Sequence, residues 1–284
     1  MKTTLVGILA LTTATFMGGM ASGQTLTVKV SHTLLELNQK WADAYKAKHP
    51  AADIQVTGDE TTSAFATLAD KQADLIFVPR AMRFKEAQAC EATLGRRPAE
   101  NKVAVSGLAV YVHTNNLVKV LEYEELSNIF HGQTQNWKDL DGGTDHVISA
   151  YAQATNSVLG ELFDAEVLEG MGFSAKVHCL TDQEVRQAVA ADPNGIGFGA
   201  LKPSPDLQLL SIKRAHSSTP VDPTEENIAH RIYPISRYVY SYSSPAANPD
   251  QSKAYVDWIR SDEGQQIAKG AGFYALPTNL RSGQ

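Results

Sequence analysis

The first part of the chain alternates short apolar runs with amphipathic stretches. Leu26 to Val30 alternates apolar and polar residues, as a half-buried strand does. Leu75 to Val78 is a continuous apolar run, which is expected of a strand buried on both faces. Between them the pattern predicts a helix from about 34 to 45, ended by Pro50, a strand at 54–56 and a helix from 61 to 68. This β-α-β-α-β rhythm predicts an open, mainly parallel sheet.

The remainder of the chain repeats the same rhythm. The predicted elements are, in order, an extended segment at 103–112 interrupted at Gly107, a helix at 121–130, a strand at 147–151, a helix at 157–169, a strand at 175–180, a helix at 182–191 and a short buried strand at 196–199. Residues 215–230 are rich in Ser, Thr, Pro and Glu, which predicts an exposed loop. A second extended segment at 232–242 and a last helix, which carries Tyr255, Trp258, Ile259 and Ile267, complete the pattern.

The two long extended segments, Val103–Val112 and Ile232–Tyr242, bracket the middle third of the chain. The simplest interpretation is that both cross between two α/β lobes. The first lobe would then be discontinuous, made of residues 24–107 and 234–284, and the second lobe would be residues 108–233. Two crossing segments would form a hinge, and a hinged cleft suits a protein that closes on a ligand.

The N-terminal residues 1–23 have the features of a secretory signal peptide. Lys2 supplies the positive charge, Leu5–Met17 is the apolar region, and Ala21–Gly23 is a small-residue cleavage site. The apolar run is shorter than the roughly 20 residues that a membrane span needs, although an uncleaved anchor remains the alternative. We therefore predict a periplasmic protein.

Composition narrows the function classes. The 284 residues are 43% hydrophobic and 20% charged, as in an ordinary globular protein of two domains. The formal net charge of −6, which becomes −7 without Lys2, disfavours binding to nucleic acid or acidic lipid. The eight histidines show no metal-binding spacing, and no Gly-x-Ser-x-Gly hydrolase motif occurs. We expect no metal and no cofactor.

The only cysteines are Cys90 and Cys179. An oxidising compartment permits a disulfide between them. The predicted lobe division places them in different lobes, where a bridge would hinder hinge motion. Pairing is therefore left open.

The most distinctive segment is Leu126–Leu140, in which a helix end is followed by Gly132, a polar loop and Trp137. It resembles the "IF-G-x-x-x-NW" segment of phosphate-type periplasmic solute-binding proteins, which serve ABC importers. Three further segments, 192–201, 233–237 and 261–273, resemble the family's "DP-x-x-IGF-x-x-L", "YPLSR" and "S-x-EGQ … GF" motifs in the same order. The resemblance implies the two-lobe, type II periplasmic-binding-protein-like fold over nearly the whole mature chain.

In this family an oxyanion is held between the lobes, largely by helix N-termini, where free amide groups and the helix dipole favour negative charge. The resemblance places the first-lobe ligand groups in strand-to-helix turns. They are Ser31 and Thr33, with Val30 replacing the family's glycine, then Thr61, Thr62 and Ser63 at the second helix, and Arg80 after the buried strand. The alternatives are that Ser31 or Thr33 is a helix cap and that Arg80 forms a salt bridge at the cleft rim.

The third turn departs from the family pattern. Residues 151–163 align with the family's "Y-x-R-D-x-x-SGT-x-x-x-F" segment, and Ser157 keeps the serine. Gln153 replaces the arginine, and Val158-Leu159 replaces Gly-Thr. A charge-assisted hydrogen bond is worth about 1.5–3 kcal/mol, so its loss would weaken anion binding roughly 10- to 100-fold. The site is thus divergent, with Gln153 and Ser157 as its second-lobe candidates.

The expected function is capture of phosphate or a related small oxyanion by a monomer that delivers it to an ABC permease in the inner membrane, without catalysis. A second hypothesis is a sensor or surface-interaction protein that kept the fold and lost the anion site. A third is an exported hydrolase that uses a cleft serine with His32.

Overall fold

The computed structural model describes residues 25–202, 204–245 and 249–281. The predicted signal peptide lies outside the described residues. The strands are β1 (Leu26–Ser31), β2 (Ile54–Asp59), β3 (Leu75–Val78), β4 (Ala99–Gly107), β5 (Ala109–His113), β6 (Val120–Glu122), β7 (Ser149–Gln153), β8 (His178–Leu180), β9 (Gly195–Gly199), β10 (Leu207–Leu209), β11 (Ser211–Lys213) and β12 (Ser236–Ser243). The helices are α1 (Leu35–Lys48), α2 (Thr61–Ala69), α3 (Phe84–Leu94), α4 (Tyr123–Phe130), α5 (Val158–Val167), α6 (Asp182–Ala191), α7 (Glu225–Ala229), α8 (Pro249–Arg260) and α9 (Asp262–Gly270).

The strands form two five-stranded sheets and one two-stranded sheet. The first sheet has the order β2-β1-β3-β12-β4, and the second has the order β10-β5-β9-β7-β8. The pairs β1–β2, β1–β3, β7–β8 and β7–β9 are parallel, as the alternating rhythm predicts. Both sheets are nevertheless mixed, because β12 pairs antiparallel with β3 and β4, and β5 pairs antiparallel with β9 and β10.

The long segment predicted at 103–112 runs from one sheet into the other. It is β4 of the first sheet followed by β5 of the second, with only Leu108 between them. The return passes from α7 to β12, where Ser236 pairs with Gly107. The predicted division into lobes at 107/108 and 233/234 follows this strand membership, and we retain it as a proposal.

Three predictions for the C-terminal half differ from the structure. Residues 225–229 of the predicted loop form α7, because Ile228 is fully buried in the core and Thr224 caps the helix. The single last helix is two helices, which break at Ser261. The predicted extended segment at 232–242 begins only at Ser236, after Arg231 adopts a left-handed backbone with φ of 58°.

The family-like segments mainly stabilise the fold. Trp137 is 1% exposed, and its indole donates to the carbonyl of Asn194 at 3.0 Å, which joins two of these segments. Gly132 ends the turn after α4 with φ of 73°. Gln265 is 1% exposed and donates to the carbonyls of Val103 and Ile259 at 2.8 and 2.9 Å. The contacts of these segments therefore explain their role in the architecture and do not identify a ligand.

Candidate functional site

The hydroxyl groups at the carboxyl ends of β1 and β2 lie together. Ser31, the last residue of β1, is buried, and its Oγ lies 3.4 Å from Thr33 Oγ1. Thr61, which begins α2, donates its hydroxyl to Ser31 Oγ at 3.1 Å. Parallel β1–β2 pairing causes this meeting, because it aligns Ser31 with Asp59, two residues before Thr61. Three predicted ligand residues thus share one hydrogen-bonded cluster.

The N-terminus of α2, which lies beside that cluster, provides backbone amide donors. Its N-cap residue Glu60 forms no side-chain cap hydrogen bond, and Thr62 and Ser63 are exposed in the first turn. The first amides of a helix have no partner within the helix, and together with the helix dipole they favour an anion. The Asp59 carboxylate does not take this place, since it accepts the Glu60 amide at 2.8 Å. The arrangement can therefore donate hydrogen bonds to an oxyanion.

Negative charge nevertheless stands close by. Glu60 is exposed, and its carboxylate lies 3.9 Å from the His32 imidazole. His32 itself is exposed and has no hydroxyl nucleophile among its recorded hydrogen-bond partners within the described part of the chain. This geometry gives no support to the hydrolase hypothesis.

Arg80 is engaged by a carboxylate six residues further along the chain. Its guanidinium donates two hydrogen bonds to Glu86, at 2.8 and 2.7 Å, and lies 4.9 Å from the centre of the Phe65 ring. Burial raises the pKa of Glu86, but hydrogen bonds from Arg80 and from the Arg83 amide outweigh that effect and leave the pKa below its ordinary value. The Glu86 carboxylate thus neutralises the charge of Arg80, and Arg80 forms a salt bridge, which is the alternative to the predicted ligand contact. Its ligand role stays a prediction.

The two second-lobe candidates contact each other at the start of α5. Ser157 is the N-cap of α5, with its Oγ accepting the Gly160 amide at 3.0 Å. The same hydroxyl donates to Gln153 Oε1 at 3.3 Å. Gln153 is 5% exposed, and its amide nitrogen donates to Asp182 Oδ1 at 3.0 Å. Both side chains are therefore already hydrogen bonded within the protein.

Asp182 was missed in the sequence, although it follows β8 as the first residue of α6. Besides Gln153, its carboxylate accepts from the Ala200 amide at 3.1 Å and from Arg186. A Cβ on Gly199 would lie 2.5 Å from Asp182 Oδ1 and 2.7 Å from the Tyr111 hydroxyl, so a larger residue at this position would displace one of these side chains. Burial and the Asp182 charge raise the pKa of Tyr111. Gln153 was selected by its alignment with the family motif, whereas Asp182 could have been found from its position after β8, which pairs in parallel with β7.

The two halves of the molecule touch at α5. Val158 packs against the core of the first sheet, among the cluster that contains Leu34 and Leu37, whereas Leu159 packs against the core of the second. An ion pair joins Arg237 of β12 to Glu161 of α5, and Glu166 lies 3.9 Å from the same guanidinium. Val158 thus fills space where the family sequence has glycine.

The predicted site residues accordingly form two hydrogen-bonded groups and one ion pair. Ser31, Thr33 and Thr61 form the first group, and Gln153 with Ser157 forms the second. Arg80 is paired with Glu86. Thr62 and Ser63 stand in the first turn of α2 with exposed side chains. Whether these groups bind a ligand stays a prediction.

Other chemistry is sparse in the part of the chain that the structure describes. Cys90 is buried, Cys179 is exposed, and both are free thiols. Within residues 25–202, 204–245 and 249–281, no group of three His, Cys, Asp or Glu side chains is placed to hold a metal ion. None of the helices in these ranges has the length and apolar character needed to cross a bilayer.

Comparison with known proteins identifies relatives over most of the chain. The family model described as a PBP superfamily domain matches residues 18–263. "Phosphate-binding protein PstS" of Pseudomonas aeruginosa is 29% identical over 267 residues, covering 88% of this chain and 82% of the relative. "Phosphate-binding protein PstS" of Bacillus subtilis is 26% identical over 246 residues, covering 87% and 78%.

Solved structures show the same fold. A possible phosphate binding protein from Planctomyces limnophilus superposes with a TM-score of 0.80 at 22% identity, covering 91% of this chain and 95% of that one. An ABC-type phosphate transport receptor from Vibrio cholerae gives a TM-score of 0.72 at 22% identity, covering 89% and 100%. The two-lobe α/β architecture predicted from the sequence is confirmed.

Proposed function

The chain belongs to the PBP superfamily, and from this membership we propose that it is an extracytoplasmic solute-binding protein that captures phosphate or a related small oxyanion for an ABC-type importer. The relatives named as phosphate-binding proteins support the choice of ligand. The predicted signal peptide supports a periplasmic location.

The observation that carries this proposal is the hydroxyl cluster beside the open N-terminus of α2. The Ser31 hydroxyl lies within hydrogen-bond reach of the hydroxyls of both Thr33 and Thr61. Each hydroxyl has a donor that can turn from its neighbour to a ligand oxygen, and the first α2 amides add donors with the positive end of the dipole. An oxyanion held there would have its water shell replaced by protein donors.

The second half of the site would come from α5. Ser157 and Gln153 stand at its N-terminus, which already contacts the 3₁₀ turn His32–Leu34 that carries Thr33. Residues 24–107 with 234–284 would form one lobe and residues 108–233 the other, and the anion would be enclosed as they close. Arg80 could bind the anion only if its guanidinium separated from Glu86. We therefore propose that Arg80 lies near the ligand but does not contact it in the present geometry.

We infer binding and release without catalysis, by a monomer that presents its ligand to a permease in the inner membrane. In the described residues, the hydroxyls of Ser31 and Ser157 have no histidine among their recorded partners, whereas a serine nucleophile needs an adjacent base. Neutral donors and dipoles suffice for reversible anion capture.

The direct test is calorimetric titration of residues 24–284 with phosphate. We expect saturable heat that is lost in part by Thr61→Val, which keeps the side-chain shape and removes the donor to Ser31. One neutral hydrogen bond is worth about 0.5–1.5 kcal/mol, so affinity should fall roughly 2- to 10-fold. Thr114→Val, at an exposed threonine in the turn after β5, is the matched control. No heat and no thermal shift at millimolar phosphate would remove the transport proposal.

A second candidate is a same-fold sensor or surface-interaction protein without an anion site. The packing of Val158 on the first-sheet core favours it, because that side chain occupies space between the halves. The variant Val158→Gly distinguishes the two candidates. If phosphate binds only after this substitution, the natural chain has lost the site. If the natural chain already binds, Val158 is an ordinary contact of the closed form.

A further inference from the structure

A second concave site lies at the far end of the first sheet. A cavity of about 480 Å³ is lined by residues from the start of β4, the end of β12, helix α8 and the turn after α3. Ser243 at this edge pairs with Leu75 at the start of β3, whereas the predicted ligand turns follow the ends of β1, β2 and β3. The cavity, called the basic cavity below, is therefore separate from the proposed phosphate site.

The lining of the basic cavity is rich in cations. Among the described residues that line it, four are basic and one is acidic: Arg96, Arg97, Lys253 and Arg260 against Asp257. This balance is opposite to that of the chain, whose formal net charge is −6. A low-dielectric concave surface concentrates the field of such charges and attracts anions.

Two of the four cations are already neutralised. Lys253 forms an ion pair with Asp257, and Arg97 forms one with Glu91 just outside the lining. Both pairs are at least partly exposed, so they contribute little to stability. They leave the remaining two guanidinium groups to set the charge of the basic cavity.

Arg96 and Arg260 have only neutral recorded partners within the described chain. Arg96 donates to the Pro245 carbonyl at 3.3 Å. Arg260 donates to Asn101 Oδ1 at 3.2 Å and to the Leu280 carbonyl at 2.6 Å. Two positive charges thus line one cavity with no carboxylate partner among the described residues, and a bound anion would supply the balancing negative charge.

We propose that the basic cavity binds a small phosphomonoester. Such a group carries about −1.5 to −2 charges near neutral pH and three acceptor oxygens, which matches two unneutralised arginines better than a single carboxylate does. The volume falls in the range of about 300–1,000 Å³ that is typical of small-molecule sites, which leaves room for an organic body beside the phosphate. Val256, Pro245 and Pro249 supply apolar walls for that body.

The test uses glucose 6-phosphate as the probe, titrated into residues 24–284 and followed by calorimetry. Glucuronate, which has a similar ring and one carboxylate, and glucose are the comparison ligands. We expect glucose 6-phosphate to bind at least tenfold more tightly than glucuronate, and glucose not to bind. Arg96→Gln should weaken glucose 6-phosphate at least tenfold, since a charge-assisted bond is lost. Arg96 has one recorded bond, to a carbonyl, so its replacement should leave the melting temperature unchanged.

Lys40→Gln is the matched charge control, because Lys40 is a partly exposed residue of α1 that pairs with Glu36. It should not change glucose 6-phosphate binding, and Arg96→Lys should restore part of the affinity. Equal affinity for glucuronate, or undiminished binding to folded Arg96→Gln protein, would overturn the proposal. Binding of inorganic phosphate at the α2 site should be the same in Arg96→Gln protein. The result therefore distinguishes a failure of the basic-cavity proposal from a failure of the proposed function.

Discussion

An ion pair between Arg237 and Glu161 joins β12 to α5, and the effect of its removal can be estimated. The Arg237 side chain is 8% exposed and that of Glu161 is 31% exposed. The variant Arg237→Met keeps an unbranched chain but removes the guanidinium that pairs with Glu161 and lies 3.9 Å from Glu166. Breaking a buried pair from one side costs about 3–5 kcal/mol. Because water reaches nearly a third of Glu161, we expect about 2–3 kcal/mol.

That loss should appear as a fall in melting temperature. A change of 1 kcal/mol shifts the midpoint by about 2–4 °C in a protein of this size, so Arg237→Met should melt about 4–12 °C lower than the natural protein. Circular dichroism during heating measures the shift, and the urea midpoint should fall with an unchanged slope. A midpoint within about 1 °C of the natural protein would refute this reasoning, as it is far below the shift expected from the geometry.

Two controls separate the pair from general effects of charge. Lys40→Gln breaks an exposed i,i+4 pair and should cost no more than about 0.5 kcal/mol. The double variant Glu161→Gln/Arg237→Met should recover part of the loss, because one stranded charge is removed with its partner. A double variant less stable than the sum of the single effects would contradict the assigned pairing.

Two further predictions concern the site. Ser157→Ala removes the hydroxyl that caps α5 and should lower the free energy of unfolding by about 1 kcal/mol in urea; an unchanged midpoint would show that the cap contributes nothing. The folded-state pKa of Glu86 lies below the ordinary glutamate value of 4.5, so its ionised form stabilises the protein above that pH, and this contribution is lost as the pH falls through the folded-state pKa. Glu86→Gln should therefore flatten the loss of stability in acid, measured by thermal unfolding across that range, whereas superimposable pH profiles would contradict the Arg80–Glu86 pair.

Local patterns were sufficient where an element carries its own signals. The continuous apolar run Leu75–Val78 predicted a strand buried on both faces, and all of β3 is buried. Helix α6 has the predicted bounds Asp182–Ala191, because Thr181 and Glu184 form a capping box at its start. The same reasoning failed at α7, where polar composition predicted a loop and one buried residue, Ile228, anchors a helix against the core.

The candidate site also has features that the sequence predicted and features that only the structure showed. The family resemblance assigned Ser31, Thr33 and Thr61 to one site, and in the structure their hydroxyls lie together at the edge where the parallel strands β1 and β2 end. It weighed both a ligand contact and a salt bridge for Arg80, and only the structure showed that Glu86 holds that guanidinium. The turn chemistry was readable from the sequence, but the identity of each partner was not.

The sequence by itself determined the two-lobe α/β architecture and the turns that carry donors, because hydrophobic period, helix caps and motif order are properties of neighbouring residues. The tertiary structure alone decided that Gln153 bonds to Asp182, that Val158 rests on the opposite core, and that Arg237 pairs with Glu161. These contacts join residues that are distant in the chain. Which of them form depends on how the sheets and helices pack against one another. That packing decides how much of each donor remains for a ligand.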